Sequence, residues 1–400
     1  MPNASSSRVS LRYIKEVVYG TTPSTPTMTT VRRVPGGGGL QRNSQSVTSQ
    51  EADASRTIPD TIETGYSAAF DYNFELQAGA LDDFFIAALG GTTYTATLTA
   101  QTTISAVNST NTIHRSAGSF ITDGFKPGMW IKVSGFTGIT ANNGLMKIAD
   151  GDSDVTATDM NIVLATKALA DDAAGEAVTI TGKMVRTGTA NQDSFTFEQE
   201  FTDLTNVFLR GVGFRPTGLS IDATAGNVVT GTVNFLGKDV TTASAAFTDE
   251  VVTAAGTTQS MNATSNVVTF YEGGAAITTL ARQLTLNINP NVTELRAIAN
   301  PAAAGLIDGT FDISGALNLF FSDLTFLNKV INRTATSLWL PFSDGAGKHI
   351  IFTFPKVYLS GTPKEQGQNT PVAQDLTFTA VRYTGLTLTP SIMMQIDMIS

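Results

Sequence analysis

His114 and His349 are the only histidines in the chain, and cysteine is absent. A thiolate nucleophile, a disulfide framework and a thiolate metal site are therefore excluded. His114 stands beside Arg115 and Ser116, but no second histidine is near it in sequence and no G-x-S-x-G elbow accompanies it. It reads as a surface histidine. Asp150, Asp152 and Asp154 have the spacing of a calcium loop, yet Val155 and Asn161 stand where glycine and glutamate are needed, so the segment reads as an acidic hairpin tip. Glu198 and Glu200 could serve as paired carboxylates on a sugar. Two apart in one strand, they point the same way, and no cleft geometry for hydrolysis can be argued from them. Gly36 to Gly39 lacks the Lys-Ser/Thr of a phosphate loop and leads to no helix; Gly211-Val212-Gly213 reaches Arg215-Pro216 without the third glycine of a dinucleotide fingerprint. The first reads as a flexible arm and the second as a turn between strands. No catalytic residue, metal site or cofactor is expected.

The elements that would position such residues are strands. Charged residues make up 15% of the 400, well below the roughly 25% of ordinary soluble domains, while hydrophobic residues hold a normal 42%. That composition is neither disordered nor, with no stretch near the roughly 20 apolar residues of a spanning helix, membrane-inserted. The opening Met1-Pro2-Asn3-Ala4-Ser5 has no export signal, so synthesis in a cytoplasm is expected. A net charge of -9 argues against a broad surface that grips phosphates.

Tyr66, Ala68, Phe70, Tyr72, Phe74 and Leu76 alternate with Ser67, Asp71, Asn73 and Glu75, the period-two signature of a half-buried strand. The signature returns at Phe195, Phe197 and Phe201 against Thr196, Glu198 and Glu200, and at Val229, Val233 and Phe235 against Thr230, Thr232 and Asn234. It recurs at Phe311, Ile313, Leu317 and Leu319 against Asp312, Ser314 and Asn318. Trp130 and Trp339 fall in alternating strands and read as core or inter-subunit packing.

Two short helices interrupt the strands. One carries an apolar stripe from Leu81 to Leu89 and stops at Gly90-Gly91; the other is capped at Ser322 and runs from Leu324 to Ile331. Each follows a long alternating strand and precedes another, which predicts an internal duplication of one strand, helix, strand unit. The first copy is interrupted by residues 97–185, whose Gly and Pro turns predict a small all-β insertion domain. Residues 21–60 show no sustained periodicity and read as a long loop or arm.

The polar faces of the clearest strands carry Asp71, Glu75, Glu198, Glu200 and Asp312 among Thr and Asn, with no Lys or Arg. A face of one sign arises either by design or by chance in an acidic chain. The run from Arg8 through Tyr13-Ile14-Lys15-Glu16 to Gly20-Thr21-Thr22-Pro23 resembles the opening of tail tube (major tail) proteins of long-tailed, non-contractile bacteriophages. Phe74-Glu75-Leu76 into Asp82-Asp83-Phe84, Phe208 to Gly213, Val229 to Asp239 and Ile307 to Gly315 follow in the family's order.

The resemblance implies a mainly β protein: a duplicated tail-tube-type β-sandwich or barrel unit with short flanking helices, plus the small all-β insertion domain. Residues 1–96 and 186–215 would make the first tube-like half, 97–185 the insertion outside the tube, and 216–400 the second half. Subunits would form rings that stack into a hollow virion tube for DNA. Because the family's rings are six-fold, a duplicated chain implies trimeric rings, with hexameric rings as the alternative. Asp71, Asn73, Glu75, Thr196, Glu198, Glu200, Thr230, Thr232, Asn234, Asp312, Ser314 and Asn318 would line the lumen, where acidic groups repel passing phosphates. Arg32, Arg33 and Arg42 would touch the adjacent ring. Expected partners are copies of the chain itself, other tail proteins at the tube ends, and DNA that passes without specific binding; no membrane insertion is expected. The rival readings are a self-assembling surface-layer or adhesin-type β protein and a glycan-binding module.

Overall fold

Alternation fixes the first long strand. In the computed structural model, which describes residues 3–52, 54–165, 168–265, 269–277, 281–365, 367–386 and 391–399, it is Thr61–Glu75, with Ala68, Phe70, Tyr72 and Phe74 buried. It pairs antiparallel with Thr230–Gly237, which pairs in turn with the second part of the strand Phe208–Thr224. That 17-residue strand serves two layers. Its first part pairs instead with Phe195–Phe201 and Asp239–Ala243, and Phe195–Phe201 is flanked by Val9–Lys15. The strand changes layer where Gly213 takes φ +72° and the register shifts between Pro216 and Gly218, a bulge bending a continuous strand. The Gly-Val-Gly segment is thus strand interior and not the turn expected.

Between the layers lies an aromatic core. The helix Asp82–Leu89 starts with two acidic residues at its positive end and stops at Gly90, whose φ of +66° suits a left-handed cap. It drives Phe84 into the gap, with ring centroids 4.7 Å from Tyr13, 5.3 Å from Phe195 and 5.4 Å from Phe235. Tyr13 donates from its hydroxyl to Asp83 at 2.8 Å, and its burial raises the phenol well above its ordinary pKa.

The same order of pairing recurs further along the chain. Thr336–Ser343 pairs with the first part of His349–Ser360, whose second part pairs with Ala373–Ala380, which pairs with Asp312–Phe320. Gln395–Ile399 returns to the first part of His349–Ser360, as Asp239–Ala243 does in the first unit. The second helix, Thr325–Ile331, begins later than Ser322, with the Asp323 carboxylate accepting from the Thr325 amide at 2.8 Å. One cross-strand contact recurs with its partners exchanged. Gly231 stands opposite Phe74 in the first unit, and Gly315 opposite Phe378 in the second. A Cβ on either glycine would collide with the facing ring.

The units share one sheet, because the second part of Phe208–Thr224 also pairs with Ala281–Asn289, which pairs with Asp312–Phe320. A boundary at 215/216 would cut the layer-changing strand, and Thr230–Gly237 and Asp239–Ala243 complete the first unit's ladders. The stretch 21–60, expected as a long loop or arm, contains two strands, Thr27–Val31 and Gln41–Thr48.

The insertion departs along Gly90–Gln101 and returns along Val178–Thr187, which pair with each other. Val178–Thr187 also pairs with Trp130–Ser134, and the ladder continues through Gly144–Ile148, Asp159–Ala165 and Thr112–Arg115 to Ile104–Val107. Its core, with Ile104, Ile113, Phe120, Phe125, Met146 and Ile180, is separate from that of the repeats.

The insertion docks on the layer of the second repeat that holds Gln395–Ile399, through Met184 to Arg186 against Gln395 to Asp397. Trp130 and Trp339 meet edge-on at 5.9 Å, a core contact between the two bodies. The Trp130 amide donates to Asp397 at 3.0 Å, and Gln395 Nε2 donates to the same carboxylate at 2.7 Å. Burial pushes Asp397 up to about 7, against the opposing pull of those hydrogen bonds and of Lys147 and Arg186. A carboxyl whose folded pKa is raised stabilises the fold fully below its unfolded value and loses that contribution as pH rises through about 7. The melting temperature should therefore fall between pH 4 and pH 7.5 in a scanning-calorimetry series, and Asp397→Asn should flatten that slope.

Candidate functional site: the polar face of the shared sheet

Pairing sets polar residues from both repeats into transverse rows. In one row Asn73 is opposite Thr232, Thr232 opposite Ser220, and Ser220 opposite Asn287; Asn287 then meets Ser314, Ser314 meets Thr379 and Thr379 meets Tyr358. The next row runs Glu75, Thr230, Asp222, Thr285, Ala316, Thr377 and Ser360. Neither row contains Lys or Arg. The intervening row, Phe74, Gly231, Ile221, Leu286, Gly315, Phe378 and Leu359, points the other way into the core.

Short side-chain bonds hold this face. Asn234 Nδ2 donates to Asp71 at 2.7 Å, Thr232 Oγ1 to Asn73 at 2.8 Å, and Ser260 Oγ to Glu75 at 2.6 Å. Asp222 accepts from Thr224 at 2.9 Å and from Gln283 at 2.7 Å, and Asn318 donates to Asp375. The carboxylates accept from neutral donors, so these bonds fix orientation while the negative charge stays uncancelled.

Of the expected lining residues, Asp71, Asn73, Glu75, Thr230, Thr232, Asn234, Asp312, Ser314 and Asn318 share this face. Thr196, Glu198 and Glu200 do not. Their strand lies in the other layer, where Glu198 is fully buried and receives Arg210 Nε at 2.8 Å and Arg12 Nη1 at 3.3 Å. Arg12 also binds Glu200 and lies 3.4 Å from Glu250. Burial raises the Glu198 pKa while both arginines pull it down. Thr196 is buried and donates to Glu16 at 2.9 Å. These positions alternate with apolar residues because the arginines supply a buried counter-charge from an adjacent strand, which alternation alone does not reveal.

The family model described as phage tail tube protein matches residues 6–380, insertion included. The chain belongs to that family. No curated protein matches it. A member of this family is a structural component of the virion tail and not one of an enzyme family.

The residues weighed for chemistry are engaged structurally in this tail tube protein. Glu198 and Glu200 point to the same arginine, Asp150 pairs with Lys147 at 2.6 Å, and Asp154 accepts from Asn161 at 2.8 Å. His114 faces Asp159 at 2.8 Å, and His349 sits in another ladder opposite Ile399. Arg32 donates to the Thr258 carbonyl at 2.9 Å, Arg33 to Val9 and Ser6, and Arg42 lies over the Tyr66 ring at 3.6 Å.

The expected lining did not include Ser220, Asp222, Thr285, Asn287, Asp375, Thr377 and Thr379, although Leu284, Leu286 and Ile288 and later Leu376 and Phe378 do alternate in the sequence. Leu219, Ile221 and Ala223 do alternate with Ser220, Asp222 and Thr224, but the glycines and Pro216 upstream disguise a strand that crosses both layers. Removing the buried Glu198 leaves Arg12 and Arg210 without their shared carboxylate, so Glu198→Ala should cost about 3–5 kcal/mol. Exposed Asp71→Ala should cost under about 1 kcal/mol, and paired urea denaturation curves would check the contrast.

Proposed function

We propose that the chain assembles laterally into trimeric rings with pseudo-six-fold symmetry, which stack into the tail tube, and that the polar face lines its bore. The supporting observation is the junction between the repeats, Phe208–Thr224 against Ala281–Asn289, where one unit continues the other's sheet without a break. Repeating that junction between chains closes the sheet and removes its open edges. Three chains, each bringing two units, would give a six-unit ring, whereas hexamers would give twice that.

The polar rows suit a DNA conduit. Their Thr, Ser and Asn side chains stay hydrated, and Asp71, Glu75, Asp222, Asp312 and Asp375 repel phosphates over roughly the 8–10 Å Debye length of physiological salt. The genome would slide without being gripped. The insertion docks on Gln395–Ile399, in the layer that does not carry the polar face, and so would decorate the outside of the tube. Arg42, at the foot of the hairpin formed by Gln41–Thr48 and Thr61–Glu75, is the stronger candidate for contact with an adjacent ring, while Arg32 and Arg33 lie beside the lateral edge.

Scanning transmission microscopy of assembled tubes should give a mass per ring of three 42.1 kDa chains; six would reject the trimer. Phage carrying Asp71→Lys with Asp312→Lys should assemble tails but eject DNA severalfold more slowly at low salt than at high salt. Salt-independent ejection at the wild-type rate would reject the electrostatic lining.

A further inference from the structure

The two ends of the shared sheet differ in how they are finished. In the second unit, Asp312–Phe320 is covered along its outer edge by Ala281–Asn289. In the first unit the corresponding edge, from Phe70 to Glu75, carries no strand among the described residues; the Val34 amide reaches it, donating to the Asn73 carbonyl at 2.9 Å. Residues 32–40 run along this edge without forming a ladder. Gly36, Gly38 and Gly39 hold φ values of +119°, +82° and +71°, and a Cβ at Gly37 would strike the Asp71 carbonyl. At the opposite end, Val357 still pairs with Thr336, but from Tyr358 to Ser360 the strand His349–Ser360 pairs with Ala373–Ala380 on one side and, among the described residues, with no strand on the other.

The transverse row gives the register of the missing contact. Its members divide into Asn73, Thr232 and Ser220 from the first unit and Asn287, Ser314, Thr379 and Tyr358 from the second. The second unit supplies four, the first three. The absent member is the counterpart of Asn287, the residue that joins Ser314 to Ser220 of the preceding unit. Val34, bonded to Asn73, occupies that place.

We propose that residues 32–40 are a latent strand. On ring closure it pairs with Phe70 to Glu75 of its own chain and with Tyr358 to Ser360 of a second copy, setting Val34 opposite Tyr358 of that copy as Asn287 stands opposite Ser220 within the chain. The occupant is a second copy because the edge left open at one end of the sheet is the one that the missing strand completes at the other. Ordering four consecutive glycines costs more conformational entropy than ordering other residues, so the free subunit carries a built-in barrier to lateral addition. A growing ring end, offering a ready ladder, lowers that barrier.

The inference rests on the tube reading, and one set of experiments separates them. The chain lacks cysteine, so Val34→Cys with Tyr358→Cys can be treated with a short bismaleimide after assembly. The expected result is covalent dimer and trimer and nothing larger, with neither single variant cross-linking. Tubes that form without cross-links overturn the latent strand but leave the tube reading intact. A ladder reaching six keeps the seam and overturns the trimer, and failure of the unmodified protein to form tubes overturns both. Hydrogen exchange on the unmodified protein gives an independent readout: amides within residues 32–40 and 358–360 should slow roughly tenfold or more on assembly, and unchanged exchange overturns the proposal.

Discussion

A strand has two edges, and each backbone N–H and C=O along them needs a partner. That requirement governs this chain more than any single side-chain contact. Within each unit the requirement is met by one strand that leaves one layer for the other, Phe208–Thr224 in the first and His349–Ser360 in the second. Between the units it is met by Ala281–Asn289, which takes up the edge left by Phe208–Thr224. The aromatic core around Phe84 then holds the layers together, because rings packed edge to face across the gap fix the spacing that the layer-changing strand must span.

The layers give like residues different fates. Glu75 and Glu198 both sit at polar positions of alternating strands. Glu75 is half-exposed at the end of its strand and accepts from neutral Ser260. Glu198 projects toward two arginines under cover of the segment holding Glu250. On the face shared by both repeats the carboxylates thus accept from neutral donors, whereas in the other layer Glu198 is matched by arginines.

Much of this was legible in the sequence. Alternation gave Thr61–Glu75, Phe195–Phe201, Thr230–Gly237 and Asp312–Phe320; the repeated strand–helix context gave the duplication; and Gly and Pro turns gave the insertion. The order of moderately specific segments gave the family. What stayed hidden was non-local. Gly211 and Gly213 signal a turn by local rules, but the space beside Gly213 is taken by Tyr19 and Lys238 from other places in the fold, and that beside Gly211 by the ring of Phe214 in the same strand. The arginines that bury Glu198 come from Val9–Lys15 and from Phe208–Thr224, and only the ladder brings them together. The second-unit polar positions, from Thr285 to Thr379, joined the candidate face only when pairing fixed their rows.

An electron cryomicroscopy map of an assembled tube, at a resolution that separates strands, bears most directly on the account. It should show the sheet uninterrupted from one copy to the next, with Glu75 and Asp222 of every copy directed into the bore and the insertion outside. A wall in which those carboxylates face outward, or in which copies touch through side chains across a gap between their sheets, would contradict it.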